Sequence, residues 1–349
     1  KFYFLPLILG LTGLFYHANK NSKDCFIVFL LFFMTGIAIV IYLNQYAFQP
    51  RERDYAYAAS FYAFSIWIGL GVLSIFEKLS KKIKPEYSAV IVSGLCLLLV
   101  PGIMAQQGWD DHDRSGKYTC VDFASNYLNS CEKNAILFTN GDNDTFPLWY
   151  AQEVEGIRTD VRIVNLSLLS GDWYINQLRK KVYDADAVPF TLDKKNYRAG
   201  NRDVIYLIEK ENIKDYVDVK DILRIIKKDD NMLKLNTEYG KLDYFPTKKF
   251  SISVDSAKVV DNKTVSKADA DKIVKTVDWK INRNAIQKSE LMVLDFLATN
   301  EWERPVYFAV TTGKDSYLGL SDYFQLEGLA YRLVPVSYTH LTLPTICSV

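Results

Sequence analysis

An excess of charge of either sign is missing from this sequence: 42 Lys and Arg stand against 41 Asp and Glu in 349 residues, a net charge of +1. That balance, with no basic stripe interleaved with aromatics, gives no reason to expect a nucleic-acid partner. Cysteine is also scarce. The five present follow neither a disulfide framework nor a zinc-ligand spacing. Cys25 and Cys96 fall inside apolar runs, and Cys120 and Cys131 flank an expected helix. Such a helix separates that pair by roughly 16 Å at 1.5 Å per residue, whereas a disulfide tolerates Cα atoms no more than about 7 Å apart. There is no internal repeat and no low-complexity segment.

The most telling absence is local. Cys25 to Phe48, Tyr55 to Phe76 and Tyr87 to Gly108 each run 22 to 24 residues without one Asp, Glu, Lys or Arg. About 20 apolar residues cross a bilayer core as a helix, so each run is long enough to span. Phe2 to Tyr16 is a fourth, shorter run at the chain start. With no initiator Met and no signal-peptide layout, it reads as a spanning helix cut short.

Lys and Arg of short loops favour the cytoplasmic side. Lys20 and Lys23 follow the first run, and Lys78, Lys81, Lys82 and Lys84 follow the third, against only Arg51 and Arg53 in the loop between. The expected orientation puts the lysine loops in the cytoplasm. Arg51, Arg53 and everything after Gly108 then face a periplasm or its topological equivalent.

After Trp109 the texture changes to alternating strand and helix patterns. "NAILFTNG" reads as a strand and "DTFPLWYAQEVEG" as a helix capped by Asp144 or Thr145. "VRIVNLSLL" reads as a strand buried on both faces, and "DWYINQLRKKV" as a helix. Further on, "RDVIYLIE" is a strand, "DVKDILRIIKK" an amphipathic helix and "KKFSISVD" an exposed-edge strand. "KSELMVLDFLATN" and "RPVYFAV" are a helix and a strand, and "DYFQLEGLAYRL" a last helix. The stretches 184–200 and 255–272 read as polar loops. The expected fold is an α-helical membrane region of about four transmembrane helices, the first truncated, over residues 1–108. A periplasmic α/β domain with a mainly parallel sheet follows over residues 109–335. "VSYTHLTLPT" near the end looks like a translated sequencing adapter, so residues 336–349 are expected to be an artefact.

Three groups of residues are site candidates. Arg51 and Arg53 sit in the loop between two runs. They are either an interfacial collar or a cationic fork for a lipid phosphate. Asp110, Asp111 and Asp113, with His112, follow the run Tyr87 to Gly108 in "WDDHDRSG". Neighbours in an extended chain point to alternate sides, so a wet collar at the membrane exit is favoured over a metal site, and no metal is expected. A third role, shaping an outer-face cleft, stays open for them. Asp142 and Asp144 lie in "GDNDTF" at a strand end, as turn and cap residues or as contacts to a sugar hydroxyl or a cation in that cleft. Trp149 and Trp173 are either core or sugar-stacking residues.

The phrases "QPRERDYAYAASFYAFSIWIGLGV", "WDDHDRSGKYT", "ILFTNGDNDTFPLWYAQEVEGIRTDVRIVNLSLL", "FPTKKFSISVD" and "YFQLEGLAYRLVPV" together resemble the DUF2723 family of bacterial membrane proteins, from about residue 40 to 336. Its relatives include a eukaryotic endoplasmic reticulum protein O-mannosyltransferase. The resemblance implies a GT-C type membrane glycosyltransferase, with residues 1–108 as the end of its helical core. Such an enzyme passes a sugar from a polyprenyl-phosphate donor to a hydroxyl of an acceptor protein at the outer face of a bacterial inner membrane, with no cofactor. The catalytic carboxylate of such enzymes lies in their first outer loop, expected upstream of this chain, so the catalytic residues are unknown. The alternative is a non-enzymatic membrane protein whose α/β domain binds a glycan or an envelope partner.

Overall fold

The computed structural model describes residues 2–46, 53–228, 231–237 and 240–336. The chain divides into two compact units, 1–116 and 117–349.

The first unit is helical: α1 Leu5–Lys20, α2 Ser22–Thr35, α3 Ile37–Leu43, α4 Ala58–Ser80, α5 Pro85–Leu97 and α6 Ile103–His112. Among the described residues three continuous stretches are long and apolar enough to cross a membrane: Ser22–Leu43, Asp54–Ser80 and Pro85–His112. They coincide with the three uncharged runs. The expected fourth span forms α1, which at 16 residues reaches only about 24 Å, short of a hydrocarbon core of about 30 Å. Gly36 joins α2 to α3 with φ −118° and ψ −90°, outside helical geometry. Small residues bring α1 and α4 together: a Cβ built on Gly13 would lie 1.7 Å from the Trp67 carbonyl oxygen, and one on Gly71 2.2 Å from that of Leu9. Only glycine permits backbones to approach so closely.

The second unit begins with α7 Thr119–Asn129, β1 Ile136–Thr139, α8 Asp142–Glu153, β2 Arg162–Asn165, α9 Asp172–Leu178 and α10 Lys194–Tyr197. Next come β3 Val204–Leu207, β4 Val217–Asp218, α11 Val219–Lys228, β5 Lys234–Thr237, β6 Gly240–Phe245, β7 Lys249–Ser253 and α12 Ser256–Asp261. The chain closes with β8 Thr276–Lys280, β9 Ala285–Gln287, α13 Lys288–Asn300, β10 Val306–Ala309, β11 Phe324–Glu327 and β12 Ala330–Leu333.

The central sheet has the order β11-β12-β10-β1-β2. β1 pairs in parallel with β2 and with β10, as the strand–helix–strand pattern requires. Its side chains alternate between two cores. Ile136, Phe138, Val164 and Phe308 pack with α9 and α13 on one face. Leu137, Ile163, Tyr307 and Ala309 pack with α7 and α8 on the other. Helices on both faces explain why β1, β2 and β10 are buried at every position.

The expectation of a mainly parallel sheet needs correction. The domain has three mixed sheets, the others being β5-β6-β3-β9 and β4-β7-β8. Parallel pairing arises where a helix crosses over, while the antiparallel pairs include both a hairpin, β11-β12, and long-range pairs such as β3-β9. "DYFQLEGLAYRL" is such a hairpin and not a helix, because Gly328 turns with φ +57° and β11 then pairs antiparallel with β12. A Cβ there would strike the Ser130 hydroxyl at 2.2 Å. "KKFSISVD" alternates in burial as expected, but it is the central strand of its sheet and not an edge, with β4 and β8 on either side. Within the stretches read as loops, α10 and α12 are short helices; Asp255 caps α12 through the amides of Ala257 and Lys258. Val336 is buried and bridges to Ile273; residues 337–349 lie outside the described residues.

Candidate functional site at the carboxyl edge of the central sheet

In sheets of this kind ligands bind beyond the carboxyl ends of parallel strands, beside the strand where the chain order reverses. Here that strand is β1, with β2 on one side and β10 on the other. Gly141 leaves β1 with φ +115°, a left-handed conformation that favours glycine. It serves as the N-cap of α8 without any side-chain cap, so neither Asp144 nor Thr145 plays that role.

Both fold back instead into a buried polar network. Asp144 Oδ2 accepts from the Asn140 amide at 3.1 Å and from Thr311 Oγ1 at 2.8 Å, tying β1 to the turn after β10. Thr145 Oγ1 lies 2.7 Å from Thr139 Oγ1 and accepts from Asn165 Nδ2 at 2.9 Å. Asn165 also donates to the Gly141 carbonyl at 3.3 Å, and its Oδ1 accepts from the Leu168 amide at 2.9 Å. Asp144 therefore fixes the strand ends and is not turned to solvent, whereas Asp142 is exposed. The two carboxylates diverge.

Beside this network lies a polar cavity of about 390 Å³. Asn140 and Ser167, from the ends of β1 and β2, meet Ser170, Arg283, Glu290 and Asp315 around it. Ser167 Oγ donates to Asn140 Oδ1 at 2.7 Å. Arg283 pairs with Glu290 and donates to the Asp315 carbonyl at 3.3 Å. Glu290 Oε2 accepts from the Gln287 amide at 2.8 Å, half of the capping box that starts α13. Hydroxyls, amides and one ion pair suit a neutral, many-hydroxyl ligand. Ser167, Arg283 and Glu290 escaped the sequence reading because β1, β2 and α13 are distant in sequence. The Gln–x–x–Glu spacing at 287–290 was the one local signal, and it marks a helix start.

The other candidates stand in the first unit. Arg53 is exposed, and Asp54 accepts from Tyr57 Oη at 2.8 Å; Arg51 lies outside the described residues. Asp110 and Asp111 are on the last turn of α6, a helix where an extended chain was expected, so 100° steps and not alternation separate them. His112 Nδ1 hydrogen-bonds the Gly108 carbonyl at 2.7 Å. Asp113 accepts from the Ser115 amide at 2.8 Å, and bonding to Ser115 holds its carboxyl below the usual aspartate range. Among the described residues no three His, Cys, Asp or Glu side chains come together as metal ligands would. Cys131 is a buried free thiol that burial pushes up to about 12, which removes it as a nucleophile. Trp149 is half-buried against both cores, and Trp173 is exposed.

No solved structure matches the chain. Over 121 residues it is 24% identical to a Dictyostelium discoideum protein named protein O-mannosyl-transferase tmem260, an overlap of 32% of this chain and 15% of that protein. The chain thus spans a small part of that relative's length. Residues 120–345, well over half of the chain, match the family described as TMEM260-associated domain 2. With three helices fit to cross a membrane and a mixed α/β domain after them, this is a membrane protein, and it belongs to the TMEM260-associated domain 2 family.

Proposed function

We propose that this chain is part of a membrane glycosyltransferase of the protein O-mannosyltransferase kind. The observation that carries the reading is the likeness to a protein O-mannosyl-transferase, in a chain with three apolar helices of spanning length. In this reading, which extends to the DUF2723 resemblance and the GT-C class, the helices hold a polyprenyl-phosphate-linked sugar donor in a bacterial inner membrane. The α/β domain stands in the periplasm and meets the acceptor protein.

Arg51 and Arg53 carry the charge such a donor needs. A guanidinium offers two parallel N–H groups to phosphate oxygens and stays charged at an interface. The polar cavity at the carboxyl edge of the central sheet, with Asn140, Ser167, Arg283 and Glu290, has the chemistry to hold a mannosylated or unmodified acceptor segment. Asp110, Asp111 and Asp113 are then a wet collar at the end of the helical unit, and Asp142 is an exposed carboxylate of the α/β domain. Asp144 serves by fixing the strand ends.

The test is removal of the coding region from its own genome. Loss of mannose from Ser and Thr of envelope proteins, with its return on complementation, is the expected result. An unchanged glycan profile overturns the reading and favours a glycan-binding role. In the complemented strain, Arg53→Ala or Arg51→Ala is expected to lower transfer at least tenfold with unchanged membrane insertion. Loss of the inserted protein would make both residues a structural collar.

A further inference from the structure

The open edge of the central sheet carries a second cavity, away from the carboxyl-edge site. β2 is the edge strand, and a space of about 220 Å³ opens beside it. Trp149 and Glu153 of α8, Tyr174 and Gln177 of α9, Thr159 and Arg162 surround it.

Arg162 is the anomaly. It is 93% buried, with 7% of its surface exposed, and among the described residues its side chain makes one hydrogen bond, from Nη2 to the Gln177 carbonyl at 3.2 Å. Its Nε is buried without a partner, and no carboxylate pairs with it among the described residues. Arg158, four residues earlier, shows what a satisfied guanidinium looks like in the same domain. It grips both Asp160 oxygens at 2.8 and 3.0 Å and donates to the carbonyls of Leu128, Cys131 and Glu132. A buried cation without a counter-charge is strongly unfavourable unless something else supplies one. Arg304 feels the same charge: burial chiefly, and the charge of Arg162 in addition, lower the Arg304 pKa to about 10.

The backbone adds a further donor. The amide of Arg162 bonds to the Ala135 carbonyl just before β1 and that of Leu166 to the Thr139 carbonyl at its end, so by the alternation of a parallel ladder the Ile163 amide turns to the open edge. Ile163 also lines the cavity. A cavity of about 150 Å³ holds a benzene ring, so this one has room for one substituted six-membered ring, with Trp149 and Tyr174 as aromatic walls.

We propose that this cavity binds a sugar acid: a single ring whose carboxylate lies on Arg162 and the Ile163 amide. Glu153, exposed at the cavity and bonded by Tyr183 Oη, selects a monoanion over a phosphate dianion by repulsion. This site is independent of the transferase reading.

Equilibrium binding to the detergent-solubilised full chain tests it with three probes, D-glucuronate, D-glucose and inorganic phosphate. Glucuronate is expected to saturate a single site, with glucose and phosphate each at least tenfold weaker. Arg162→Met is expected to abolish glucuronate binding while raising the melting temperature of the free protein, since it removes an uncompensated buried charge. Arg162→Lys keeps the charge without the fork and is expected to bind at least tenfold more weakly. Glu153→Gln is expected to bring phosphate binding close to that of glucuronate. The proposal falls if glucose binds as well as glucuronate, if phosphate binds the native chain more tightly, or if Arg162→Lys binds unchanged. It falls equally if glucuronate does not bind and Arg162→Met melts below the native chain, which would make Arg162 structural.

Discussion

Helices α4 and α13 are both rich in apolar residues, and they bury opposite things. Along α4 the buried positions are Ser60, Ala63, Trp67, Gly71 and Ser74, mostly small and spaced three or four apart, while Phe61, Ile66, Leu73 and Ile75 face outward. Along α13 eleven of thirteen residues are buried, with Leu291, Met292, Leu294 and Phe296 among them. In water the large side chains must hide, and α13 obeys. In lipid the chains outside are as apolar as leucine, so a helix gains by presenting small residues to its neighbour and large ones to the bilayer. One sequence thus carries two rules of burial, and the change of rule falls between the two units.

The comparison can be broken most decisively by topology. If Lys78, Lys81, Lys82 and Lys84 keep their loop on the cytoplasmic side, as the charge rule expects, a reporter active only in the periplasm is expected to work when fused after Pro335 and to be silent after Lys82. The reverse pattern would place the α/β domain in the cytoplasm, out of reach of an outer-leaflet donor. Next in size is the watery core. Phe308 meets Phe138 at a ring separation of 4.9 Å and is fully buried, so Phe308→Ala should destabilise the domain by about 3–5 kcal/mol, read by denaturant unfolding.

The lipid rule predicts a contrast between glycines. Gly13→Val forces α1 from α4 and should cost about 1–3 kcal/mol or more, whereas a Cβ at Gly69 meets nothing within 4 Å and Gly69→Val should be near neutral. Thermal unfolding in detergent separates the two.

The smallest effect is electrostatic. Arg158 beside Asp160 holds that carboxyl below its ordinary value of 3.8, so the pair's contribution is present above that value. It is lost as pH falls through the lower, folded-state value. Asp160→Asn should therefore flatten the fall of melting temperature with pH below 3.8, with little change at neutrality.

What could be read in advance follows the same division. Uncharged runs announce spanning helices because lipid tolerates no exceptions, and three of them were legible to within a few residues. The strands "NAILFTNG" and "VRIVNLSLL" were equally plain, being mainly apolar and bounded by turns. "DYFQLEGLAYRL" was misread because its apolar residues fit both a helical and an alternating period, and only the turn at Gly328 decides between them. β5, β6, β8 and β9 went unseen for a related reason: their pairing is between segments whose own patterns are weak. At the candidate site, Asp144 was found but given the wrong task. A cap is a local relation, whereas Asp144 joins the Asn140 amide to Thr311, 167 residues away. Arg162 left a trace that was passed over, a lone charge opening an otherwise apolar strand.

Arg158 has a consequence beyond the charge it shares with Asp160. Standing at φ +48° in the turn between α8 and β2, it gathers the carbonyls of Leu128, Cys131 and Glu132. Through Asp160 it also reaches the amide of Asn134 at the entrance to β1. The end of one helix and the starts of two strands thereby share a single fastening. In hydrogen exchange the amides of Ser130, Cys131, Asn134 and Val161 should behave as one cooperative opening unit and not as four separate frayed ends. Releasing that one side chain would let solvent in along the whole lower rim of the sheet.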